Sequence, residues 1–414
     1  MKNEILSGIN DPGQLERLYR SNKGPFKREF SSLYPELKGN TLADFWNERL
    51  RYETEDINWG STRELLLVVI AALVAGLIAK IPAVFPVDED FFYPRNIGFI
   101  FLPLLTAYFA WKNNLQPKLM AAVGALMLFS LIYINALPVS TTSDTLILAC
   151  IHLPLLLWVL LGTAFVGNNL SDYGRRLEYL RYNGDLIVMT TLILIAGGIM
   201  TGLTIGLFSL IGFQIEQFYF EYVAVFGLAA SPIVGTYLTQ TNPQLVSKVS
   251  PVIASIFSPL VLIMLVIYLG AIIYSGKDPY NDREFLIIFN LLLIGVMAII
   301  FFSVAESSKT RQSTTATGVL FLLSAVTVIV NGIALSAIVF RIAEWGITPN
   351  RLAVLGGNLL MLLNLLFITV HLLKSLTKKS DTAIVGRSIA HFLPVYSLWA
   401  VIVIFLFPLL FSFK

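Results

Sequence analysis

The sequence predicts an all-α protein built as a polytopic bundle of transmembrane helices, and two observations carry that prediction. Hydrophobic residues make up 56% of the 414 residues and charged residues only 13%, with a mean hydropathy of +0.75, whereas soluble domains carry about 25% charged residues. The apolar residues also collect in runs of roughly 20, the length that a helix needs to cross a bilayer. We expect ten or eleven spans within residues 63–414, after a short helical segment over residues 1–62.

The N-terminal segment, residues 1–62, is predicted to form short amphipathic helices on the cytoplasmic side. Pro12 suits a first helical position, Asn40 can cap a later helix, and Tyr34-Pro35 is expected to end the helix between them. We expect these helices to lie on the membrane surface or on the bundle, with partner binding as the alternative. So short a segment is not expected to hold a core of its own.

Eleven apolar stretches are candidate spans. They cover residues 65–85, 97–111, 119–137, 145–166, 186–211, 218–239, 252–274, 285–305, 317–340, 352–373 and 393–412. Pro232 and Pro259 lie in the sixth and seventh stretches. Because proline removes a helical hydrogen bond and bends a helix, we expect those two spans to be bent or broken.

The lysine and arginine counts in the loops predict the orientation of the chain in the membrane, because cytoplasmic loops carry an excess of these residues. With the N-terminus inside, the cytoplasmic side holds 22 of these residues and the other side 6, while Lys80 lies within a span. The sequence therefore predicts a cytoplasmic N-terminus and an extracytoplasmic turn at residues 341–351.

The sequence lacks the motifs that mark several functional classes. Cys150 is the single cysteine, which argues against a cysteine metal site. No nucleotide-binding loop, HExxH, CxxC or GxSxG motif occurs in the sequence. We expect no cofactor, no metal and no ATP-driven pump, and an enzyme is the weaker expectation. The net charge of +3 is small, and nucleic acid is not an expected partner.

The functional prediction is organised around the apolar hairpin at residues 317–374 and its turn. Arg341 and Glu344 are spaced to pair at the helix end, and Trp345 suits the level of the lipid headgroups. Together with Arg351, the two charged residues are candidates for the mouth of a substrate or ion path.

Polar residues recur every seven positions within this hairpin, a spacing that keeps side chains on one helix face. The two sets are Thr317, Ser324 and Asn331, and Asn350, Gly357, Asn364 and His371. Lipid cannot satisfy side-chain amides, so both faces are expected to meet protein or water, with Asn331 and Asn364 at similar depth. Two interpretations stay open: hydrogen bonds between helices, and a path through Asn331, Asn364 and His371.

Glu221 is the leading candidate for coupling transport to protons or cations. It is placed about one turn inside the sixth span, one turn beyond Gln217, and acids within spans tend to be functional. An interfacial anchor is the alternative interpretation.

Gly198, Gly202 and Gly206 recur every four residues in the fifth span. This small-residue spacing favours close approach of another helix, and a backbone-lined ion path is the alternative.

Asp88, Glu89 and Asp90 in the first outer loop carry an enzyme alternative. Some polytopic glycosyltransferases that use lipid-linked sugars have loop carboxylates that act as a base or hold a divalent cation. A solvated loop edge explains the same acids.

Arg175, Arg176 and Arg181 form a basic cluster on the predicted cytoplasmic side. Such a cluster attracts anionic headgroups, although retention of topology explains the same charges.

Several stretches resemble a family of bacterial polytopic membrane proteins described as a domain of unknown function and loosely as permeases. The resemblance lies in RRLEYLRYNGD (175–185), GGIMTGLTIGLFSLIG (197–212), SPVIASIFSPL (250–260), YSGKDPYNDREFLIIFN (274–290) and RIAEWGITPNR (341–351), and LERLYRSNKGPFKREF resembles an extension of Bacteroidetes-type members. The resemblance implies a bacterial inner-membrane protein and favours transport.

We therefore expect an inner-membrane protein that moves a small solute, an ion or a lipid-like substrate without its own nucleotide site. The lipid bilayer is the expected partner, with a homo-oligomer left open. The alternatives are a membrane glycosyltransferase-like enzyme and a non-catalytic sensor or assembly factor.

Overall fold

A computed structural model describes residues 2–21, 23–52, 60–138, 143–210, 214–246, 249–275, 280, 283–307, 314–377 and 383–413, and these contain helices and no strand. The chain divides into two compact units, Met1–Trp59 and Gly60–Lys414.

The first unit contains the helices α1 Lys2–Ser7, α2 Pro12–Ser21, α3 Lys23–Leu37 and α4 Thr41–Tyr52. The Asn40 side chain caps α4, because its Oδ1 accepts hydrogen bonds from the backbone N–H groups of Leu42 and Ala43. Pro35 lies inside α3, so the predicted helix end at Tyr34-Pro35 was wrong: the helix continues to Leu37.

The four helices of the first unit share a core, which the sequence was not expected to support. Its buried residues are Ile5, Leu15, Tyr19, Phe26, Phe30, Leu33, Ala43, Trp46 and Leu50. The Trp46 ring lies 5.3 Å from Phe26 and 5.4 Å from Tyr19. Arg49 covers Trp46 at 4.5 Å and donates to Glu16 at 2.6 Å. Four of these nine buried residues are aromatic, and aromatic side chains bury the largest areas in protein cores.

The second unit begins with shorter helices and continues with long ones. The helices are α5 Thr62–Ala79, α6 Ile81–Val84, α7 Glu89–Asn96, α8 Leu102–Lys112, α9 Pro117–Ala136, α10 Asp144–Val166, α11 Tyr173–Leu210, α12 Glu216–Thr241, α13 Val249–Ser275, α14 Arg283–Ser307, α15 Thr314–Trp345, α16 Pro349–Leu376 and α17, which runs over Ala383–Val401, Ile402–Leu406 and Phe407–Leu410. Single π-helical turns interrupt α12 at Tyr219–Ala224 and α17 at Ile402–Leu406.

Nine helices among the described residues are long and apolar enough to cross a membrane: α5, α9, α10, α11, α12, α14, α15, α16 and α17. The prediction of an all-α multi-pass membrane protein is confirmed. Helix α13 contributes a shorter apolar stretch, Ile256–Ile267. The predicted span at 97–111 differs, because a 3-10 turn at Ile97–Phe99 precedes an 11-residue α8. At 1.5 Å per residue α8 is about 16 Å long, short of the roughly 30 Å hydrocarbon core.

The membrane unit has two main hydrophobic clusters, which we call its first and second halves. The first half is built mainly from α5 and α8–α12, with Phe109 and Leu157 at its centre. The second half is built mainly from α13–α16, with Phe289 and Leu365 at its centre. Helix α11 contributes to both, and Trp158 of α10 packs against both.

Glycines set the closest helix contacts of the membrane unit. A Cβ atom at Gly76, Gly184 or Gly356 would overlap the aromatic ring of Phe226, Phe302 or Trp399, respectively. Small residues at such contacts let helices approach closely in a membrane.

The glycines predicted to do this in α11 have no such contact. Gly198, Gly202 and Gly206 have no neighbouring atom within 4 Å in the described chain. Only 6% of the apolar window of α11 is buried, against 50% in α10. The C-terminal half of α11 is therefore largely exposed on the surface of the bundle.

Candidate functional site

Buried polar side chains collect on α15 and on two faces of α16 in the second half. We define the polar column as Thr317, Ser324, Thr327 and Asn331 of α15 with Asn358, Asn364, Thr369 and His371 of α16. From Thr317 to Asn331 the helix rises about 21 Å, roughly two-thirds of the hydrocarbon thickness. The seven-residue spacing in α15 places these side chains on the buried face, as predicted: Ser324 and Asn331 are each 0% exposed.

Direct hydrogen bonds tie the polar column to its neighbouring helices. Thr369 Oγ1 donates to Ser324 Oγ at 3.1 Å. Asn331 Nδ2 donates to the Asn358 carbonyl at 3.2 Å, and Asn358 Nδ2 donates to Asn290 Oδ1 of α14 at 2.8 Å. Three transmembrane helices are thus joined at the level of Asn331.

Asn331 and Asn364 both face the interior, but their amides have different partners. Asn364 Nδ2 donates to the Tyr396 hydroxyl of α17 at 3.1 Å, whereas Asn331 donates within the α15–α16 pair. The sequence missed Tyr396, Asn290 and Asn358 as members of this network. Seven-residue spacing selects one face of each helix, whereas these three residues approach from other helices or from a neighbouring face.

Three buried polar atoms in the polar column have no hydrogen-bond partner in the described protein. They are the acceptors Asn331 Oδ1 and Asn364 Oδ1, and His371 Nδ1, which donates or accepts according to the tautomer of the ring. Leaving a buried acceptor unpaired costs about 1–3 kcal/mol, so native proteins keep few of them and each requires an explanation. The column can therefore hold a species that donates hydrogen bonds or carries positive charge.

The turn between α15 and α16 is held by its own arginines. Arg341 Nε donates to the Tyr280 carbonyl at 2.8 Å, and Arg351 donates to the carbonyls of Trp345 and Gly346 at 2.8 Å. Both guanidinium groups lie about 5.5 Å from the Trp345 ring, within cation–π range. Arg351 thus caps the last turn of α15, where a cation is favourable.

The predicted pairing of Arg341 with Glu344 is wrong for this part of the chain. Glu344 is exposed and forms no ion pair among the described residues. Arg341 is 8% exposed, because its side chain turns back towards Tyr280 and Trp345. The turn residues therefore stabilise the hairpin, and their place in a path stays a hypothesis.

Glu221 lies apart from the polar column. It is exposed on the π-helical turn of α12, and its Oε1 accepts a hydrogen bond from Gln217 Nε2 at 2.8 Å. Helix α12 packs within the first half, whereas the polar column belongs to the second half.

Two better buried acids were missed by the sequence. Glu64 accepts hydrogen bonds from the Tyr108 hydroxyl at 2.6 Å and from Lys112 Nζ at 3.0 Å. Glu306 lies 3.5 Å from Arg181 Nε, and both side chains are buried. Both acids lie near helix ends, where the sequence gave no sign of the side chain's direction.

The acidic triplet Asp88, Glu89 and Asp90 forms the N-terminus of helix α7. Asp88 Oδ1 accepts a hydrogen bond from the Asp90 N–H at 2.9 Å and caps α7, while Glu89 and Asp90 lie in the first turn, where the helix dipole favours acids. All three are exposed. Within the residues described, no group of three His, Cys, Asp or Glu side chains converges as a metal site would require.

Comparisons with protein-family models, curated proteins and solved structures found no match. The fold and the site geometry therefore carry the functional argument, and they describe a multi-pass helical membrane protein.

Proposed function

We propose that this protein is a permease that moves a small solute or ion along the polar column without a nucleotide site of its own. The observation that carries the proposal is the pair of buried amide oxygens, Asn331 Oδ1 and Asn364 Oδ1, that lack a donor among the described residues, together with the unpartnered His371 Nδ1. Acceptors select for cations and for solutes bearing N–H or O–H groups. The residues of the polar column include no acid, so strong ion binding is not expected.

The alternative interpretation is that the column only holds helices together. Hydrogen bonds between transmembrane helices contribute about 0.6 kcal/mol each, and the bonds at Asn358 and Thr369 fit that role. Unpartnered acceptors contribute nothing to helix association and reduce stability. Their concentration on two adjacent helices favours the path.

Cysteine accessibility tests the path without knowledge of the substrate. The chain has one cysteine, Cys150, so a Cys150→Ser background can carry Ser324→Cys or Asn331→Cys. A membrane-impermeant methanethiosulfonate reagent applied to the protein in vesicles should modify both, because a path admits water. Leu323→Cys, buried beside Ser324 but apolar, should stay unmodified.

The exposed turn residue Glu344 provides the positive control as Glu344→Cys. Modification at Glu344→Cys from either side of the membrane, with none at Ser324→Cys or Asn331→Cys, would contradict the path and favour the helix-association role.

The orientation, the bacterial inner membrane and the permease-like family are part of the proposal. The charge asymmetry of 22 to 6 supports a cytoplasmic N-terminus. A reporter fused after Lys379 should then read cytoplasmic and one at Thr348 extracytoplasmic. The opposite pattern at both sites would overturn the orientation.

A sensor or assembly factor is the second candidate, and the core of the first unit favours it. A unit with its own buried aromatic residues can present a surface to a partner. Removing residues 1–59 should abolish the cellular function under this candidate and leave flux through the membrane unit intact. Loss of flux alone on substitution of Asn331 would favour the permease.

A further inference from the structure

A groove lies between α10, α11 and α17, outside the polar column. Its volume is about 330 Å³, within the range of small-ligand sites. The walls are mostly apolar, with Trp158, Val159, Val166 and Leu393 among the lining residues. Pro394 also lines it, at a point inside α17 where the proline lacks a backbone N–H.

Most polar side chains that line this groove already have backbone partners. The Tyr179 hydroxyl donates to the Trp158 carbonyl at 2.6 Å. The Thr163 and Ser397 hydroxyls donate to carbonyls four residues earlier in their own helices. The hydrogen-bond donors of these hydroxyls are therefore already paired with backbone carbonyls. Arg176 is the charged residue that lines the groove.

Arg176 donates one hydrogen bond to α17, in the turn that precedes Pro394. Its Nη1 donates at 3.2 Å to the carbonyl of Ala390, the acceptor that Pro394 leaves without its helical N–H. The guanidinium also lies 5.5 Å from the Tyr173 ring. Arginine carries five N–H donors, so most of them are available to a ligand in the groove.

Charge pairing separates Arg176 from the other two arginines at the start of α11. Arg175 pairs with Glu178 at 3.1 Å, and Arg181 pairs with Glu306 at 3.5 Å. Arg176 has no carboxylate within 4 Å among the residues that the structure describes. An uncompensated guanidinium beside an apolar groove is complementary to an anion with an apolar tail.

The position of the groove matches the headgroup level. Helix α11 has 38 residues and is about 57 Å long, whereas a bilayer with its headgroups is about 40–45 Å thick. Its polar N-terminal turns, including Arg176, therefore reach the headgroup region.

We propose that this groove binds an anionic phospholipid, with the phosphate on Arg176 and one acyl chain along the apolar walls. Arginine recognises phosphate through parallel N–H donors. A free phosphate ion would leave the apolar walls uncovered, so a membrane lipid is the occupant that fits both parts. The site is independent of the proposed transport function.

Lipid titration followed by native mass spectrometry tests the site on the full chain. Phosphatidylglycerol should bind the parent protein at least tenfold more tightly than phosphatidylcholine. Arg176→Gln should reduce phosphatidylglycerol binding about tenfold, and Arg176→Lys should reduce it less. The control Arg387→Gln removes the same charge from an exposed position of α17, the helix that Arg176 contacts, and should change binding less than twofold.

A second variant separates the groove from the folding role of Arg176. Val159→Trp fills the groove while leaving the Arg176–Ala390 contact, and it should also weaken phosphatidylglycerol binding about tenfold. Millimolar inorganic phosphate should not displace the lipid. Equal lipid binding by the parent, Arg176→Gln and Val159→Trp would overturn the proposal, as would displacement by inorganic phosphate.

Discussion

The two halves of the membrane unit treat their buried polar groups differently. In the first half, Glu64 is held by Tyr108 and Lys112. Asn96 and Asn135 exchange amide hydrogen bonds at 3.0 and 2.8 Å. In the second half, by contrast, Asn331 Oδ1, Asn364 Oδ1 and His371 Nδ1 of the polar column have no hydrogen-bond partner within the described chain.

The difference separates architecture from function. A satisfied network in a low-dielectric interior fixes one helix arrangement, and the charges of the first half do this. Unpartnered acceptors reduce stability and are retained where a protein must bind something. The separation is one of degree, because the Thr190 hydroxyl of α11 and the Trp399 N–H of α17 also have no hydrogen-bond partner in the part of the chain that the structure describes.

The largest expected effect is at the ion pair that joins the two halves. Arg181→Met leaves the Glu306 carboxylate buried without its nearest cation, so the free energy of unfolding should fall by about 3–5 kcal/mol. Denaturation of the purified chain in detergent measures it.

Arg181→Met combined with Glu306→Leu is the control, because apolar residues replace both charges. The double variant should recover most of the lost stability. A loss as large as in Arg181→Met would show that the pair is not the cause.

Alanine substitutions at two glycines of α11 compare the packed part of the helix with its exposed part. Gly184→Ala pushes a methyl group into the Phe302 ring and should cost about 1–3 kcal/mol in unfolding free energy. Gly202→Ala meets no neighbour in the described chain and should be neutral or stabilising by up to about 1 kcal/mol, since alanine favours helix. A destabilising Gly202→Ala would show that another helix covers this face.

Asparagine-to-leucine substitutions test the difference between the halves directly. Asn135→Leu removes the partner of Asn96, and the free energy of unfolding should fall by about 1–2 kcal/mol, within the cost of stranding a polar group. Asn331→Leu removes an amide whose oxygen is already unpaired, and it should change stability by less than about 1 kcal/mol. Thermal unfolding of both variants in one detergent measures the contrast. Equal losses would remove the distinction between the halves.

The smallest expected effect is a pH dependence in the first unit. Hydrogen bonds from Arg49 and then Arg20 hold the pKa of Glu16 below its ordinary value of 4.5. A carboxylate with a lowered folded-state pKa stabilises the fold above its unfolded pKa, and that stabilisation is lost as pH falls through the folded pKa. Hydrogen-exchange protection of α2 and α4, corrected for intrinsic rates, should therefore decline below about pH 4.5. Glu16→Gln should remove that part of the decline.

The sequence predicted features that depend on the local pattern. Hydropathy and the length of the apolar runs predicted a helical membrane protein. The seven-residue spacing of polar residues predicted the burial of Ser324 and Asn331. The direction of single acids was not predictable: Glu221 was expected to be the deepest acid and is exposed, whereas Glu306 is buried. A transmembrane helix that is apolar on all sides has no polar spacing to mark its inner face, so periodicity does not give its rotation. Only contacts between distant segments decide which face turns inward.

The core of the first unit has a consequence for synthesis of the chain. The ion pair between Glu16 and Arg49 joins residues 33 positions apart, and the buried residues described in this core all precede residue 51. The ribosome therefore completes every part of this core before it begins α5. Since domains fold as units during synthesis, with the N-terminal ones first, the unit can close before any span is inserted. A closed unit resists threading through a membrane, which would retain it on the side where it was made.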